Sequence, residues 1–438
     1  MKHKNTLLLS VGCIVLLALS WMAALTAKSD AKKQVELLQQ AKAYIEDEIY
    51  VRAIPLLEEA VGYDDKHTLE AETVLKDAYL HMMGQSDYAR RYTKLLDRQM
   101  ARKKADPAVF VEATNYYLET SDYSDAFHVL KAGIEKTGSE ELKELYEANR
   151  YRYDVGRSTY QDVTAISNGA IQVKQDGRWG LANAEGNLVI PCEYKKISTF
   201  SNGQAIAQKG DVLIGVDENN NRVALCHEEA ADFTNFGDNR VGLLIDGNWV
   251  LASGNFNTGG IPLQHVGMYA NGGAAAKVDN KWGVLGTDGK SWIIPAEYDG
   301  VIQDTLGRCY AQNAVFVKKG EQVLLLVDGE QTGEAYEDAR PFADGWAAVK
   351  KDGKWGFIAA DGTVKIDFKF EDALSFGQHL AAVKEGDNWG FISLRGEMVI
   401  EPIFLEARSF CKGSAPVRTS DGWQFISLEE FEKGAAGL

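Results

Sequence analysis

A short phrase recurs between Asp176 and Trp423: a turn dipeptide, a Trp, often a Gly, then an apolar run. QDGRWGL carries Trp179 and Gly180, DNKWGVL carries Trp282 and Gly283, KDGKWGFI carries Trp355 and Gly356, and GDNWGFI carries Trp389 and Gly390. DGNWVL (Trp249) and DGWQFI (Trp423) keep the turn and the Trp without the Gly. Successive Trp spacings are 70, 33, 73, 34 and 34 residues, so two copies have lost their Trp. Those copies read as GDVLIGV around Ile214 and KGEQVLLLV around Gln322. A fixed period of this size marks a solenoid, a propeller or an array, in which no unit buries its apolar face alone.

Within a unit the apolar period is that of strands. In DGWAAVKKDGKWGFIAADGTVKIDFKFEDALSF, Ala347–Lys350 and Lys354–Ala359 flank Asp352-Gly353, which supplies the positive φ of a two-residue hairpin. Asp361-Gly362 makes a second turn before Thr363–Ile366. A short segment opened by an aromatic residue, such as Tyr194–Ile197 or Phe404–Ala407, then leads on, so each unit is a three- or four-stranded meander. On such a strand Trp355 and Phe357 share one face while Gly356 leaves the other bare. The indoles are therefore expected to be core between repeats, each contributing on the order of 2–3 kcal/mol, rather than an aromatic platform for sugars.

The W-G phrase with its following Ile-Pro (Ile190-Pro191, Ile294-Pro295) resembles the WG-repeat family of bacterial proteins. The resemblance brings no catalytic residue and no common ligand. The array, expected over 158–428, opens on the Tyr160 segment and stops after the Trp423 hairpin, as a closed ring does when the first strand completes the last repeat. The expected fold is a β-propeller of seven or eight short blades, with an open β-solenoid as the alternative. Regular geometry is most in doubt around Trp249, Ile214 and Gln322.

Residues 30–153 read as helical, with apolar residues at three- and four-residue spacing (Val35, Leu38, Ala41, Ile45). Tyr50, Ala53 and Leu57 match Tyr88, Arg91 and Leu95, then Tyr123, Ala126 and Leu130, with a Tyr opening each second helix. The offsets resemble tetratricopeptide-like helix pairs, with an irregular bundle as the alternative. Ahead of them, Lys2 and Lys4 precede an uncharged run over 6–27, long enough to span a bilayer. It is expected to be a transmembrane signal anchor behind a cytoplasmic tail at 1–5, with cleavage after Ala24 or Ala27 left open. The expected localisation is the cell membrane, single-pass, with the bulk extracytoplasmic and 429–438 as a C-terminal tail.

The net charge of −16 argues against nucleic acid, which needs clustered Lys and Arg. No C-x-x-C, H-E-x-x-H, G-x-S-x-G or Walker pattern is present, so no catalytic, cofactor or metal residue is expected. Cys192 and Cys226 read as small buried thiols, with a disulfide as the alternative. Asp217, Asn219, Asn221 and Glu228 fall on calcium-loop positions, yet Arg222 stands where that loop needs Gly. TDGKSW (Thr287–Trp292) imitates a propeller Asp box one residue short. The functional expectation is a membrane-anchored, non-enzymatic scaffold for a protein or peptide partner. A cell-envelope carbohydrate binder is the alternative, and a propeller-type glycan hydrolase is the third reading.

Overall fold

The computed structural model describes residues 29–63, 66–84, 86–225 and 229–430. The expected membrane anchor at 6–27, its tail at 1–5 and most of the C-terminal tail lie outside these residues. Among the described residues no helix is long and apolar enough to cross a membrane. The chain divides into two compact units at Asn149/Arg150.

The first unit is helical: α1 (29–46), α2 (Tyr50–Gly62), α3 (Thr68–His81), α4 (Ser86–Met100), α5 (Pro107–Glu119), α6 (Tyr123–Thr137) and α7 (Glu140–Asn149). The boundaries follow local chemistry. Asp106 caps α5 by accepting from the Ala108 N–H, and Pro107 occupies the first turn, where no N–H is needed. Gly138, at φ +67°, ends α6 in the left-handed conformation. Pro55 lies inside α2, because the turn from α1 closes earlier, at 47–49. Tyr50 and Tyr123 open α2 and α6, and Tyr88 lies in the first turn of α4. Ala41, Ala53, Ala60, Ala71, Ala78, Ala113 and Ala126 are fully buried, so the helices approach closely. One charge goes inside with them: buried Glu72 accepts from Gln99 Nε2 at 2.9 Å and Arg102 Nη2 at 2.6 Å.

The second unit consists of eight four-stranded antiparallel sheets, an eight-bladed β-propeller. Blade 1 is β2 (Asp162–Val163), β3 (Ala170–Gln175), β4 (Arg178–Asn183) and β5 (Leu188–Tyr194). Blades 2 to 7 repeat this order of first to fourth strand. Blade 8 takes its fourth strand from the start of the unit. There β1 (Tyr153–Val155) pairs with the third strand, Gly422–Leu428, in the register Tyr153↔Leu428 to Val155↔Ile426. The Tyr160↔Trp423 bridge adds to the seam, so the array is a ring and the solenoid alternative is overturned. Tyr153 accordingly belongs to the propeller, not to the helical segment that 30–153 assigns it to, and the propeller begins ahead of 158.

The expected turns form. Asp352 (φ +51°) and Gly353 (φ +77°) join second to third strand, as Asp176 (φ +50°) and Gly177 (φ +73°) do in blade 1. The aromatic-led segments join one blade's fourth strand to the next blade's first: Tyr194 ends β5, and Lys196–Ile197 opens blade 2. The copies that lack Trp or Gly are four-stranded like the rest.

Candidate functional site

The W-G motif is a joint between two strands. In blade 1 the register runs Trp179↔Tyr194, then Leu181↔Ile190, so Pro191, Cys192 and Glu193 bulge out opposite Gly180 alone. Pro191 has no N–H to offer the ladder, which favours leaving it there. The bulge folds back over the glycine: a Cβ on Gly180 would meet Ile190 O, Pro191 C and Cys192 N. Gly283 is covered in the same way by Ile294 O, Gly356 by Ile366 O at 2.8 Å, and Gly390 by Ile400 O at 2.5 Å.

Blades 3, 5 and 8 depart from the motif in different ways. Blade 3 carries Val250 in the glycine's place, and its bulging fourth strand carries Gly260 at φ +89°. Blade 5 carries Leu324, and its bulge carries Gly333 at φ +71°. In blades 3 and 5 the glycine thus stands in the bulge rather than opposite it. In blade 8 the partner strand is β1 and its continuation to Tyr160: the register steps from Val155↔Ile426 to Tyr160↔Trp423, so 156–159 stand opposite Gln424 and Phe425, and Gln424 donates from Nε2 to Gly156 O at 3.1 Å.

The six motif indoles sit on six different blades, one to each. Trp355, Trp389 and Trp423 are buried; Trp179, Trp249 and Trp282 are half-buried. Most face a cation: the Arg340 guanidinium lies 4.3 Å from the Trp355 ring, Arg408 4.3 Å from Trp423, and Lys174 5.6 Å from Trp179. His265 is flanked by Trp249 at 6.1 Å and Trp282 at 5.1 Å. Burial, and then the Lys277 charge, hold its pKa below the usual histidine value.

The surface best suited to recognition is the face that carries the first-to-second and third-to-fourth strand turns. Its turns are tied blade to blade. Asn168 Nδ2 donates to Phe200 O (2.6 Å), the Asn239 N–H to Ser201 Oγ (3.1 Å) and the Gly272 N–H to Asp238 Oδ2 (2.7 Å). Further round, the His379 N–H donates to Asp344 Oδ2 (3.0 Å) and the Gly413 N–H to Gln378 Oε1 (2.7 Å).

The axis of the ring is filled. Blade 5 has twelve residues (302–313) between its first and second strands, where blade 1 has six (164–169). The extra loop is tightened by Asp304, whose Oδ1 accepts from the N–H groups of Leu306 and Arg308, both at 2.9 Å, while Oδ2 pairs with Arg308 Nε at 2.6 Å. Its tip crosses to other blades. Leu306 O accepts from Asn235 Nδ2 of blade 3 at 3.1 Å, and Gly307 O accepts from the Met268 N–H of blade 4 at 3.0 Å. Asn235 Oδ1 in turn accepts from Gln172 Nε2 of blade 1 (2.9 Å) and the Thr199 N–H of blade 2 (3.2 Å). Contacts among non-neighbouring blades are attainable only at the axis. Gly267 makes room for the loop, since a Cβ there would meet Gln303 Oε1 and Gly307 O, each at 2.5 Å. Within the loop, burial pushes the Cys309 thiol up to about 12.

The ligand-like sequence motifs resolve into turns. Asp217 Oδ1 accepts from the N–H groups of Asn219 (2.9 Å) and Asn221 (2.8 Å), so it closes its own loop; Glu228 lies outside the described residues. Asp288 does likewise: the Ser291 hydroxyl (2.6 Å) and then the N–H groups of Ser291 and Lys290 donate to it and hold its carboxyl down at about 2. Among the described residues no group of three or more His, Cys, Asp or Glu could hold a metal ion. Cys192 is half-buried and its thiol donates to Val173 O at 3.6 Å; Cys226, like Cys13, lies outside the described residues.

A second feature of this face is a pocket of about 210 Å³ between blades 2 and 3, lined by Ser201, Asn202, Gln204, Phe236, Asn239 and the Ser253–Asn255 turn. Neither it nor the axial loop was anticipated from sequence. The signals were present: six extra residues after Val301, and Phe256 where the other third-to-fourth turns place Gly186, Asn220, Gly289, Gly362 or Gly396.

No curated protein matches this chain. Among solved structures it is similar to PorZ, a bacterial surface component of the type-IX secretion system of Porphyromonas gingivalis (10% identity, TM-score 0.34). That match covers 60% of this chain and 42% of PorZ, so the chain spans under half of that relative's length. It is also similar to the WD40 domain of SCAP from fission yeast (6% identity, 64% of this chain and 99% of that one, TM-score 0.37). A third similarity is to YCF48 bound to D1 peptide (11% identity, 64% and 97%, TM-score 0.31). The family described as WG containing repeat matches at residues 179–212, 335–355, 355–389 and 389–423. The matched stretches begin or end on Trp179, Trp355, Trp389 and Trp423, so the β unit contains WG repeats at these positions.

Proposed function

We propose that this chain is a membrane-anchored, non-enzymatic scaffold for protein partners, with its helical and propeller units outside the cytoplasm. The observation that carries the reading is the turn-bearing face. Its turns are hydrogen-bonded from blade to blade, and the loop tip at Leu306 and Gly307 fills the axis. Binding residues are commonly carried on loops held by a rigid frame, because a preorganised surface loses little entropy on association. The helical unit adds a second surface: α3 presents Leu69 and Leu80, three turns apart on one side, to solvent. The anchor rests on the apolar run at 6–27, and the outside placement on the short basic tail ahead of it.

Site-specific photo-cross-linking on intact cells tests the reading. Cross-linkers at Asn202 and Lys412, on the turn face, should yield a reproducible protein adduct, and one at Arg178, on the opposite end of the strands, should not. Equal capture from both ends, or none from either, rejects the scaffold. Protease added to intact cells should trim both units; a protected chain rejects the outside placement alone.

A further inference from the structure

We infer that the pocket between blades 2 and 3 is a binding site for one neutral, hydroxyl-rich unit, a sugar residue, formed where this blade pair departs from the repeat. The inference is independent of the protein-partner reading. At about 210 Å³ the pocket is smaller than the roughly 300–1,000 Å³ usual for drug-sized ligands, so it admits a single small unit.

Two substitutions in the third-to-fourth turn of blade 3 create it. Gly254 stands where blades 1, 2, 4, 6 and 7 carry Ala184, Glu218, Thr287, Ala360 and Leu394, and the missing side chain makes room for the Asn239 carboxamide at the seam. Phe256 takes the position that is Gly or Asn in those blades. It is held at φ +59° and buried, a conformation costly for a bulky residue. Its ring packs in the cluster of Ile206, Phe233 and Phe236, pinning the turn that forms the pocket wall. Backbone strain beside a cavity is characteristic of ligand sites rather than of ordinary turns.

The lining chemistry selects the ligand. Six polar side chains face the space: Ser201, Asn202, Gln204, Asn239, Ser253 and Asn255, none of them ionisable near neutral pH. Among the described residues the four carboxamides make no side-chain hydrogen bond within the protein; only Ser201 Oγ is engaged, accepting from the Asn239 N–H. Each free carboxamide presents two donors and one acceptor, a set that matches vicinal hydroxyls, which both donate and accept. An ion entering here would lose hydration with no counter-charge, and an apolar group would leave the amides unsatisfied. A peptide anchor wants an apolar or charged pocket, and the aromatic ring in this wall, Phe236, is buried rather than presented.

The test uses the full chain in a detergent without a sugar headgroup, mixed with glucose, galactose, N-acetylglucosamine and their short neutral oligosaccharides. Saturation-transfer NMR should show contact with at least one of them. Gly254→Leu, which installs the residue blade 7 carries at this position, should lower affinity by about tenfold or more while leaving the thermal midpoint of tryptophan emission unchanged. A Cβ on Gly254 meets Asn239 Oδ1, the movable end of a side chain, so the leucine displaces it into the pocket. Gln204→Ala removes one carboxamide without adding bulk and should weaken binding in the same direction. Saturation transfer to none of these sugars, or wild-type affinity in both variants, overturns the inference.

Discussion

Gly390→Ala isolates the contact that defines the repeat. A Cβ at this position would lie 2.5 Å from Ile400 O, 2.8 Å from Pro402 N and 2.9 Å from Glu401 C, all of them backbone atoms. Ordinary carbon–oxygen contact begins near 3.4 Å, so the bulge must retreat by about 0.9 Å. It cannot do so freely, because Trp389↔Phe404 and Phe391↔Ile400 hold it on either side. Overpacking of this kind costs about 1–3 kcal/mol, and the upper end applies where no side chain can rotate away. For a unit of this size about 3 kcal/mol lowers the melting temperature by roughly 5–10 °C. Gly259→Ala is the control: it also lies in a strand, at ordinary φ, with nothing within 4 Å of its Cβ. There the reduced freedom of the unfolded chain should make the change neutral or stabilising, by up to about 1 kcal/mol. Eight of the nine tryptophans lie in the propeller, so thermal unfolding followed by tryptophan emission reports on that unit. The reasoning fails if Gly390→Ala melts within about 2 °C of wild type, or if Gly259→Ala is equally damaging.

Three further outcomes follow from the geometry. Asn235→Ala removes the side chain that joins blades 1, 2 and 3 to the axial loop, and leaves Gln172, the Thr199 N–H and Leu306 O short of a partner; a loss of about 2–3 kcal/mol in denaturant unfolding is expected. His265 is held neutral by its surroundings, so the unfolded chain takes up the proton first as pH falls below about 6.5. Stability that is complete above that pH should therefore decline through it toward the lower folded value, and His265→Gln should flatten the decline in melting temperature between about pH 7 and 5. In the helical unit, Glu72→Ala strands Gln99 and the half-exposed Arg102; the helical signal at 222 nm should melt with a loss of about 2 kcal/mol, and tryptophan emission should be unaffected.

Much of the architecture is encoded within one period of about 35 residues. Asp176-Gly177 and Asp352-Gly353 prescribe their hairpins through φ alone, a local preference legible in any strand context. The aromatic residue that opens each link, such as Tyr194, marks the passage from blade to blade. The worn copies around Ile214 and Gln322 were legible as repeats, but not how they fold. Their tolerance depends on where a bulge places its backbone, as Gly333 shows, and no single-strand pattern records that. The pocket escaped for a similar reason. Its polar residues are ordinary turn residues one blade at a time and become a lining only when two blades meet.

The sequence by itself determined that this chain holds a helical segment and an array of β-meanders, since hydrophobic period and turn chemistry act over a few residues. Only the tertiary structure decided that the array closes at eight blades. That closure pairs Tyr153–Val155 with Ile426–Leu428 across almost the whole unit, and the axis is filled by one loop whose partners lie on blades 3 and 4. Such contacts reflect the curvature accumulated by every blade together, a quantity that no one repeat contains.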